Sequence, residues 1–230
     1  MKPQRISLCI LALVMFQTLL VATIKMTDLY KLQDLTMLKS VVSEYEDLPD
    51  NPNNLERCKI LGIAYHNLAV QKVHSASEKS ERYLTVYRTQ CPTDNIALAF
   101  LGSTVTMAAR DSWNFLTKLS EVNRGLNLLD QAVSQDPDNI IIRLIRGHNA
   151  LNLPTFLNRK NIAKQDFIAA EKLVTTGKIT LDPDTEANIY YQLGIISKLE
   201  QQTTLAKSYF AKAIALSPST TAGLAAKKEI

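Results

Sequence analysis

The sequence is poor in the residues that build several common classes of protein. Only 7 of its 230 residues are glycine, and long runs of alternating β-branched residues are absent, which disfavours a strand-rich fold. It has no glycine-rich phosphate loop or nucleophile elbow, and its 3 histidines have no acidic residue or cysteine at metal-ligand spacing. Basic residues are scattered among acidic ones and form no stripe with aromatic residues. We therefore expect no enzyme, metal, cofactor or nucleic-acid partner.

What the sequence does contain favours helices. Hydrophobic residues make up 46% of the chain and charged residues 21%, which is ordinary for a globular protein with a sizeable core. Leu, Ala, Lys, Gln and Glu are plentiful, and these residues have high helix propensity. The predicted fold class is all-α.

The N-terminus carries a targeting signal. Lys2 and Arg5 precede an uncharged run from Ile6 to Ile24. The run is long for a secretory signal and just long enough to cross a bilayer, so cleavage near Ala22 and retention as a signal-anchor helix both stay open. We expect an extracytoplasmic protein, in the periplasm or at the cell surface. The predicted organisation is a targeting segment (1–24), a capping helix or stalk (25–50) and a repeat domain (51–230).

A polar turn with a proline recurs along the chain, and glycines follow it in register. The prolines are Pro52, Pro92, Pro137, Pro183 and Pro218. The glycines, ten or eleven residues after each of the first four prolines, are Gly62, Gly102, Gly147 and Gly194. Each glycine lies in an apolar helical pattern, where it costs about 1 kcal/mol relative to Ala and usually marks a close helix contact. The pattern predicts a repeat of helical hairpins.

The last repeat, Ala187 to Thr220, resembles a tetratricopeptide repeat (TPR). The matching residues are Tyr190, Leu193, Gly194, Ala206, Phe210, Ala213 and Pro218. Ser197 departs from the family, which prefers Tyr there. Earlier repeats match less well, with second helices carried by Ser80 and Leu84, by Gly125, Leu129 and Ala132, and by Ala163, Phe167 and Ala170. The resemblance implies a right-handed α-solenoid of about four hairpins, preceded by half a unit from Thr27 to Tyr45.

The resemblance also implies a concave groove lined by the first helix of each hairpin. Its predicted lining residues are Lys59, Ile63, His66, Ser103, Leu144, His148, Tyr191, Ile195 and Lys198. The groove would be mostly apolar and would bind a protein or peptide. Ile63, Ser103 and Ile195 stand where some family members place Asn to clamp a terminal carboxylate, so we do not expect a chaperone-tail binder.

The loops inside the hairpins predict a second surface. They are longer in the first three repeats than in the last and would emerge along one edge. This edge would gather Arg110, Trp113, Phe115, Phe156, Arg159 and Lys160. Exposed aromatic and Arg side chains suit protein binding. Alternatively, Trp113 and Phe156 fold back onto their hairpins, and Arg110, Asp111 and Arg159 form a buried salt-bridged brace.

Two cysteines lie in the predicted repeat domain. Cys58 and Cys91 would face each other across a hairpin whose bend is centred near His74 and Ser75. In an oxidising compartment they would form a disulfide. The alternative is a pair of unlinked small residues.

The leading functional hypothesis is a non-catalytic scaffold or adaptor that binds a protein or peptide and is exported or membrane-anchored. One alternative is a structural subunit of an envelope complex. A less favoured one is an enzyme accessory or divergent hydrolase.

Overall fold

All of the regular structure that is described is helical, as predicted. A computed structural model describes residues 24–48, 54–111 and 115–230. In this part of the chain the α-helices are α1 (Met26–Lys31), α2 (Leu35–Glu46), α3 (Leu55–Val70), α4 (Ala76–Gln90), α5 (Asn95–Asp111), α6 (Phe115–Gln135), α7 (Ile140–Asn152), α8 (Lys160–Thr175), α9 (Pro183–Leu199), α10 (Thr203–Leu216) and α11 (Thr221–Lys227). A 3₁₀ turn, Thr155–Leu157, precedes α8.

Within these described ranges, no helix is both long and apolar enough to span a bilayer. The predicted targeting segment lies outside the described residues except for Ile24, and so does Trp113.

The chain forms two compact units. Unit 1 ends at Tyr87, and unit 2 runs from Arg88 to Ile230. In unit 1, α3 and α4 form a hairpin around Gly62. A Cβ at this position would meet the side chain of Leu84, and the Ser80 hydroxyl donates to the Gly62 carbonyl at 2.7 Å. The glycine is therefore the close contact that the sequence predicts.

Two short helices precede the first hairpin where the sequence predicts one. The break falls between α1 and α2, because the Asp34 side chain accepts the backbone N–H of Met37 at 2.7 Å and caps the start of α2. Both helices pack on α3. The Asn67 amide donates to the Leu29 carbonyl at 2.8 Å, and Arg57 Nε donates to the Tyr45 carbonyl at 2.7 Å. One face of α3 is thus covered by the start of the described chain.

Unit 2 contains further helix pairs, and the two helices of each pair approach closely at a glycine. Gly102 of α5 faces Gly125 of α6, Gly147 of α7 faces Phe167 of α8, and Gly194 of α9 faces Phe210 of α10. These are the residues that the repeat pattern places together, so the predicted register of the pairs is confirmed. The last described helix, α11, packs on α9 and α10 and buries only small residues, Ala222, Gly223 and Ala226.

The bends inside the helix pairs require left-handed backbone. Among the described residues, those other than glycine with positive φ are Lys72, Ser75, Asn158 and Gln201. All four lie between paired helices. After α9, the Gln202 N–H bonds the Ser197 carbonyl at 2.9 Å and the Gln201 N–H bonds the Lys198 carbonyl at 3.0 Å, which is a Schellman motif. The bends therefore have defined geometry.

The predicted disulfide is absent. Cys58 and Cys91 are not joined by a disulfide; the first is buried in α3 and the second is half-buried just after α4. Because α3 ends at Val70 and α4 begins at Ala76, the bend is centred near residue 73, earlier than the sequence suggested. This shift removes the register on which the disulfide was predicted.

Candidate functional site

Two of the predicted groove residues in unit 1 lie in its core. Ile63 is 0% exposed and His66 is 7% exposed. The neighbouring residue Asn67 bonds the Leu29 carbonyl, so this part of α3 lies under the N-terminal helices. Lys59 stays partly exposed, with Nζ 5.5 Å from the centre of the Tyr87 ring. Ile63 and His66 therefore offer no open groove, and their assignment as groove residues is corrected.

The contacts of His66 fix its chemical state. Its Nδ1 lies 2.9 Å from Asn67 Oδ1, while the Asn67 amide nitrogen donates to the Leu29 carbonyl. Nδ1 must therefore carry the proton, because the Asn67 oxygen can only accept. Burial lowers the pKa of His66 to about 4, although the bond to Asn67 acts in the opposite direction. The ring is a neutral structural group.

In unit 2, the predicted groove residue on α5 is used for contact between helices. Ser103 is buried. The amide nitrogen of Asn149, on α7, lies 2.5 Å from Thr106 Oγ1 and 3.5 Å from Ser103 Oγ. Ser103 therefore belongs to a polar contact between α5 and α7, and its assignment to an open groove is also corrected.

His148, on α7, also makes contacts with neighbouring helices. Its ring lies edge-on to Phe167 with centroids 5.1 Å apart, and its side chain hydrogen-bonds Asn188 of α9. Burial lowers the pKa of His148 to about 4 despite the bond to Asn188. Leu144, one turn earlier on α7, packs partly buried against the core of unit 2. His148 thus links the pairs α7–α8 and α9–α10.

The remaining groove candidates lie on α9. Tyr191 and Ile195 are partly buried against the core, with the Tyr191 ring centroid 6.0 Å from that of Phe210. Lys198 is exposed and forms an ion pair with Glu229 at 2.5 Å. Glu229, which follows α11, therefore covers the polar end of this face.

The bend between α7 and α8 presents an exposed aromatic residue. Phe156 is 71% exposed and lies in the 3₁₀ turn. Backbone hydrogen bonds hold the turn, from Leu157 to the Pro154 carbonyl at 3.1 Å and from Asn158 to the Thr155 carbonyl at 3.0 Å. Of the two readings of Phe156, the structure favours the exposed one over a ring folded back on its hairpin.

A charged cluster anchors this bend to the body of unit 2. Arg159 Nη2 lies 2.5 Å from Asp130 Oδ1 on α6, and Arg146 Nη1 lies 3.0 Å from the same oxygen. Arg146 also binds the buried Asp166 with two nitrogens, at 2.7 and 2.8 Å. Burial alone would lower the pKa of Arg146, but Asp166 and Asp130 keep it above its ordinary value. Arg159 thus forms a salt-bridged brace, as one alternative from the sequence had it, with Asp130 as its acidic partner.

The next bend, between α9 and α10, adds two exposed apolar residues that sequence reasoning missed. Leu199 is 56% exposed and Leu205 is 43% exposed. Lys164, in the second turn of α8, lies 2.7 Å from Glu200 and ties α8 to this bend. The signal in the sequence was a leucine on either side of the polar run Glu200–Thr204. We call Phe156, Lys160, Leu199 and Leu205 the bend edge.

The other predicted edge residues lie outside the bend edge or outside the described side chains. Lys160 belongs to the bend edge and is exposed at the first position of α8, whereas Arg110 is exposed at the end of α5. The side chain of Phe115 and the whole of Trp113 lie outside the described part of the chain. The bend edge therefore rests on the α7–α8 and α9–α10 bends.

Comparison with known proteins agrees with this arrangement of helices. No protein-family model and no curated protein match the sequence. The structure is similar to the crystal structure of a thermophilic TPR protein in Thermus thermophilus, with a TM-score of 0.65 at 15% identity, over 85% of this chain and 91% of that one. The chain is a TPR-like helical repeat protein. Because the identity is low, the likeness shows the fold alone.

Proposed function

We propose that this TPR-like protein is a non-catalytic scaffold that binds another protein through the bend edge. The observation that carries the proposal is Phe156, 71% exposed on a turn that is held in place. Single exposed apolar residues are common on protein surfaces. Here, however, three occur on two successive bends of unit 2, and an ion pair joins the helix after one bend to the next bend.

The rigidity of the bend favours binding. An exposed aromatic side chain brings a large apolar area to an interface, and such residues are enriched among binding hot spots. Arg159 is fixed to Asp130, and Asn158 adopts a left-handed conformation with φ of 52°. A partner would therefore lose little free energy in ordering this loop.

The first helices of the hairpins, which the sequence predicts to line a groove, are less suited to binding. Ile63 and Ser103 are buried, His148 is bonded to Asn188, and Lys198 is paired with Glu229. These contacts support packing between neighbouring helices. We expect the pairs of unit 2 to stack with the right-handed superhelical twist implied by the resemblance to TPR proteins.

The location of the scaffold is proposed from the sequence. Two basic residues, Lys2 and Arg5, followed by the uncharged run 6–24 favour export, with the run either cleaved or kept as a membrane anchor. Under this proposal the partner is extracytoplasmic. A structural subunit of an envelope complex is the second candidate, since the same edge could be covered permanently by a neighbouring subunit.

Mild crosslinking in the native cells, followed by purification of the full chain, tests this function. Phe156→Ala should lose the crosslinked partner without a change in melting temperature, because the ring is mostly exposed. Leu224→Ala on α11, where the side chain is 50% exposed, is the matched control and should keep the partner.

Retention of the partner by a triple Phe156→Ala, Leu199→Ala, Leu205→Ala variant would exclude the bend edge. Stoichiometric co-purification, with unfolding after the partner is stripped, would instead identify an obligate subunit.

A further inference from the structure

We propose that the segment of the partner that meets the bend edge is acidic and apolar, with Asp or Glu side chains beside Leu, Ile or Phe. This inference rests on the proposed function and adds the chemistry of the partner. It follows from the charges that surround Phe156.

Basic residues dominate the α7–α8 bend, whereas the α9–α10 bend carries a single acidic residue. The segment 153–165 contains Arg159, Lys160 and Lys164 and no acidic residue, and the segment 199–205 contains one charged residue, Glu200. Arg159 is paired with Asp130, and Lys164 is paired with Glu200. In the described parts of the chain, Lys160 makes no ion pair. One exposed ammonium group is therefore left four residues after the exposed ring.

The N-terminus of α8 adds a positive electrostatic potential to that of Lys160. Its N-cap residue, Arg159, makes no side-chain cap hydrogen bond. The first N–H groups of a helix carry a partial positive charge that favours an anion. Arg159 Nε is buried and has no hydrogen-bond partner among the described residues. A carboxylate near Lys160 would thus meet a favourable field, while an ammonium group would be repelled.

A peptide segment fits this surface better than an anionic membrane does. Attraction to anionic lipid usually requires a cluster of several basic residues, each contributing about 1 kcal/mol near the surface. Only Lys160 is unpaired among the basic residues of these two described bends, since Arg159 and Lys164 are engaged within unit 2. One carboxylate beside one or two apolar side chains matches the number of groups that the edge offers.

The test uses the full chain and two labelled synthetic peptides, a short one rich in Leu and Glu and the same peptide with every Glu replaced by Lys. Binding is followed by fluorescence anisotropy. We expect the Glu peptide to bind at least about tenfold more tightly than the Lys peptide. Lys160→Glu should remove or reverse this preference, and Phe156→Ala should weaken binding of the Glu peptide. Lys227→Glu on α11, another exposed lysine, is the matched control and should change neither.

The outcomes separate the two proposals. Equal binding of both peptides that still depends on Phe156 would overturn the acidic partner and leave the bend edge as a binding surface. Binding that ignores Phe156, or no binding, would count against the bend edge itself. Vesicles containing phosphatidylglycerol form a third arm. Binding to them through Phe156, without binding of the Glu peptide, would assign the edge to a membrane surface and overturn the peptide assignment.

Discussion

Gly194 lies directly against the ring of Phe210, closer than any side chain at that position would allow. Both residues are buried in the core of unit 2, and Phe210 is 1% exposed, so the ring has little space to move. Gly194→Ala gains helix propensity of about 1 kcal/mol, but overpacking a rigid core typically costs about 1–3 kcal/mol. We expect net destabilisation in urea unfolding.

A second glycine supplies a graded control for this prediction. A Cβ at residue 147 would lie 3.0 Å from Phe167, a less severe contact. Gly147→Ala should therefore cost less than Gly194→Ala. Adding Phe210→Leu to Gly194→Ala should recover part of the loss. Equal stability of Gly194→Ala and the wild type would show that the close contact does not constrain the fold.

The left-handed residues at the bends give a prediction of opposite sign. Lys72 and Gln201 have φ of 60° and 61° and follow α3 and α9 in Schellman-type ends. Glycine adopts this conformation without the penalty of a Cβ atom. Lys72→Gly and Gln201→Gly should each raise the free energy of unfolding by up to about 1 kcal/mol. The alanine variants are the controls and should show no gain. A loss of stability on Gln201→Gly would mean that its side chain contributes more than the backbone strain costs.

The helix pairs were predictable because their signals are local. A glycine in an apolar helical pattern usually marks a place where another helix packs closely. The contact of Gly194 with Phe210 is such a place. The burial of Ile63 and His66 was not predictable in the same way. Burial depends on contacts between distant parts of the chain, such as that of the neighbouring Asn67 with the Leu29 carbonyl, 38 residues away.

The candidate site was predictable only in part. Spacing and composition suggested that Phe156 and Lys160 lie at an edge, but not whether the ring is exposed. That outcome depends on the anchoring of Arg159 by Asp130, across 29 residues of sequence. The disulfide prediction was wrong because the bend between α3 and α4 lies a residue or two earlier than the sequence suggested. Such a displacement changes which side chains face each other.

Acid should destabilise the protein through its buried histidines. Burial lowers the pKa of His66 from 6.5 to about 4. Between these pH values the histidine is therefore protonated in the unfolded chain and neutral in the folded chain. This contribution to stability is complete above pH 6.5 and is lost as pH falls from 6.5 towards 4. Its slope is at most about 1.4 kcal/mol per pH unit for each histidine. His148, whose pKa is lowered in the same way, should act in unit 2 with a smaller effect because part of the residue is exposed.

Urea unfolding across this pH range measures the effect. Carboxylates also respond to acid, so the informative quantity is the difference between the wild type and His66→Gln. The variant should be less stable near neutral pH, through loss of packing, yet lose less further stability as the pH falls. Parallel pH profiles for the two proteins would rule out the titration of His66 as a cause.

Asp166 should be the most sensitive charged residue of unit 2. It is 0% exposed and accepts from Arg146 Nε at 2.7 Å, Arg146 Nη2 at 2.8 Å and Arg143 Nη1 at 2.9 Å. Asp166→Asn keeps the shape but removes the charge that neutralises two guanidinium groups. Breaking a buried pair by removing one partner costs about 3–5 kcal/mol. The variant should show a loss of this order in urea unfolding.

The second acidic residue of the cluster provides the control. The Asp130 side chain is 39% exposed and is paired with Arg146 and Arg159. Water can solvate the groups that Asp130→Asn leaves unpaired, so its cost should stay near about 1 kcal/mol. Adding Arg146→Met to Asp166→Asn should restore part of the stability, because the double variant no longer buries a guanidinium whose Nε and Nη2 have lost their carboxylate partner. If Asp130→Asn proved as damaging as Asp166→Asn, the stability of the cluster would depend on the anchor of the Phe156 bend and not on its buried centre.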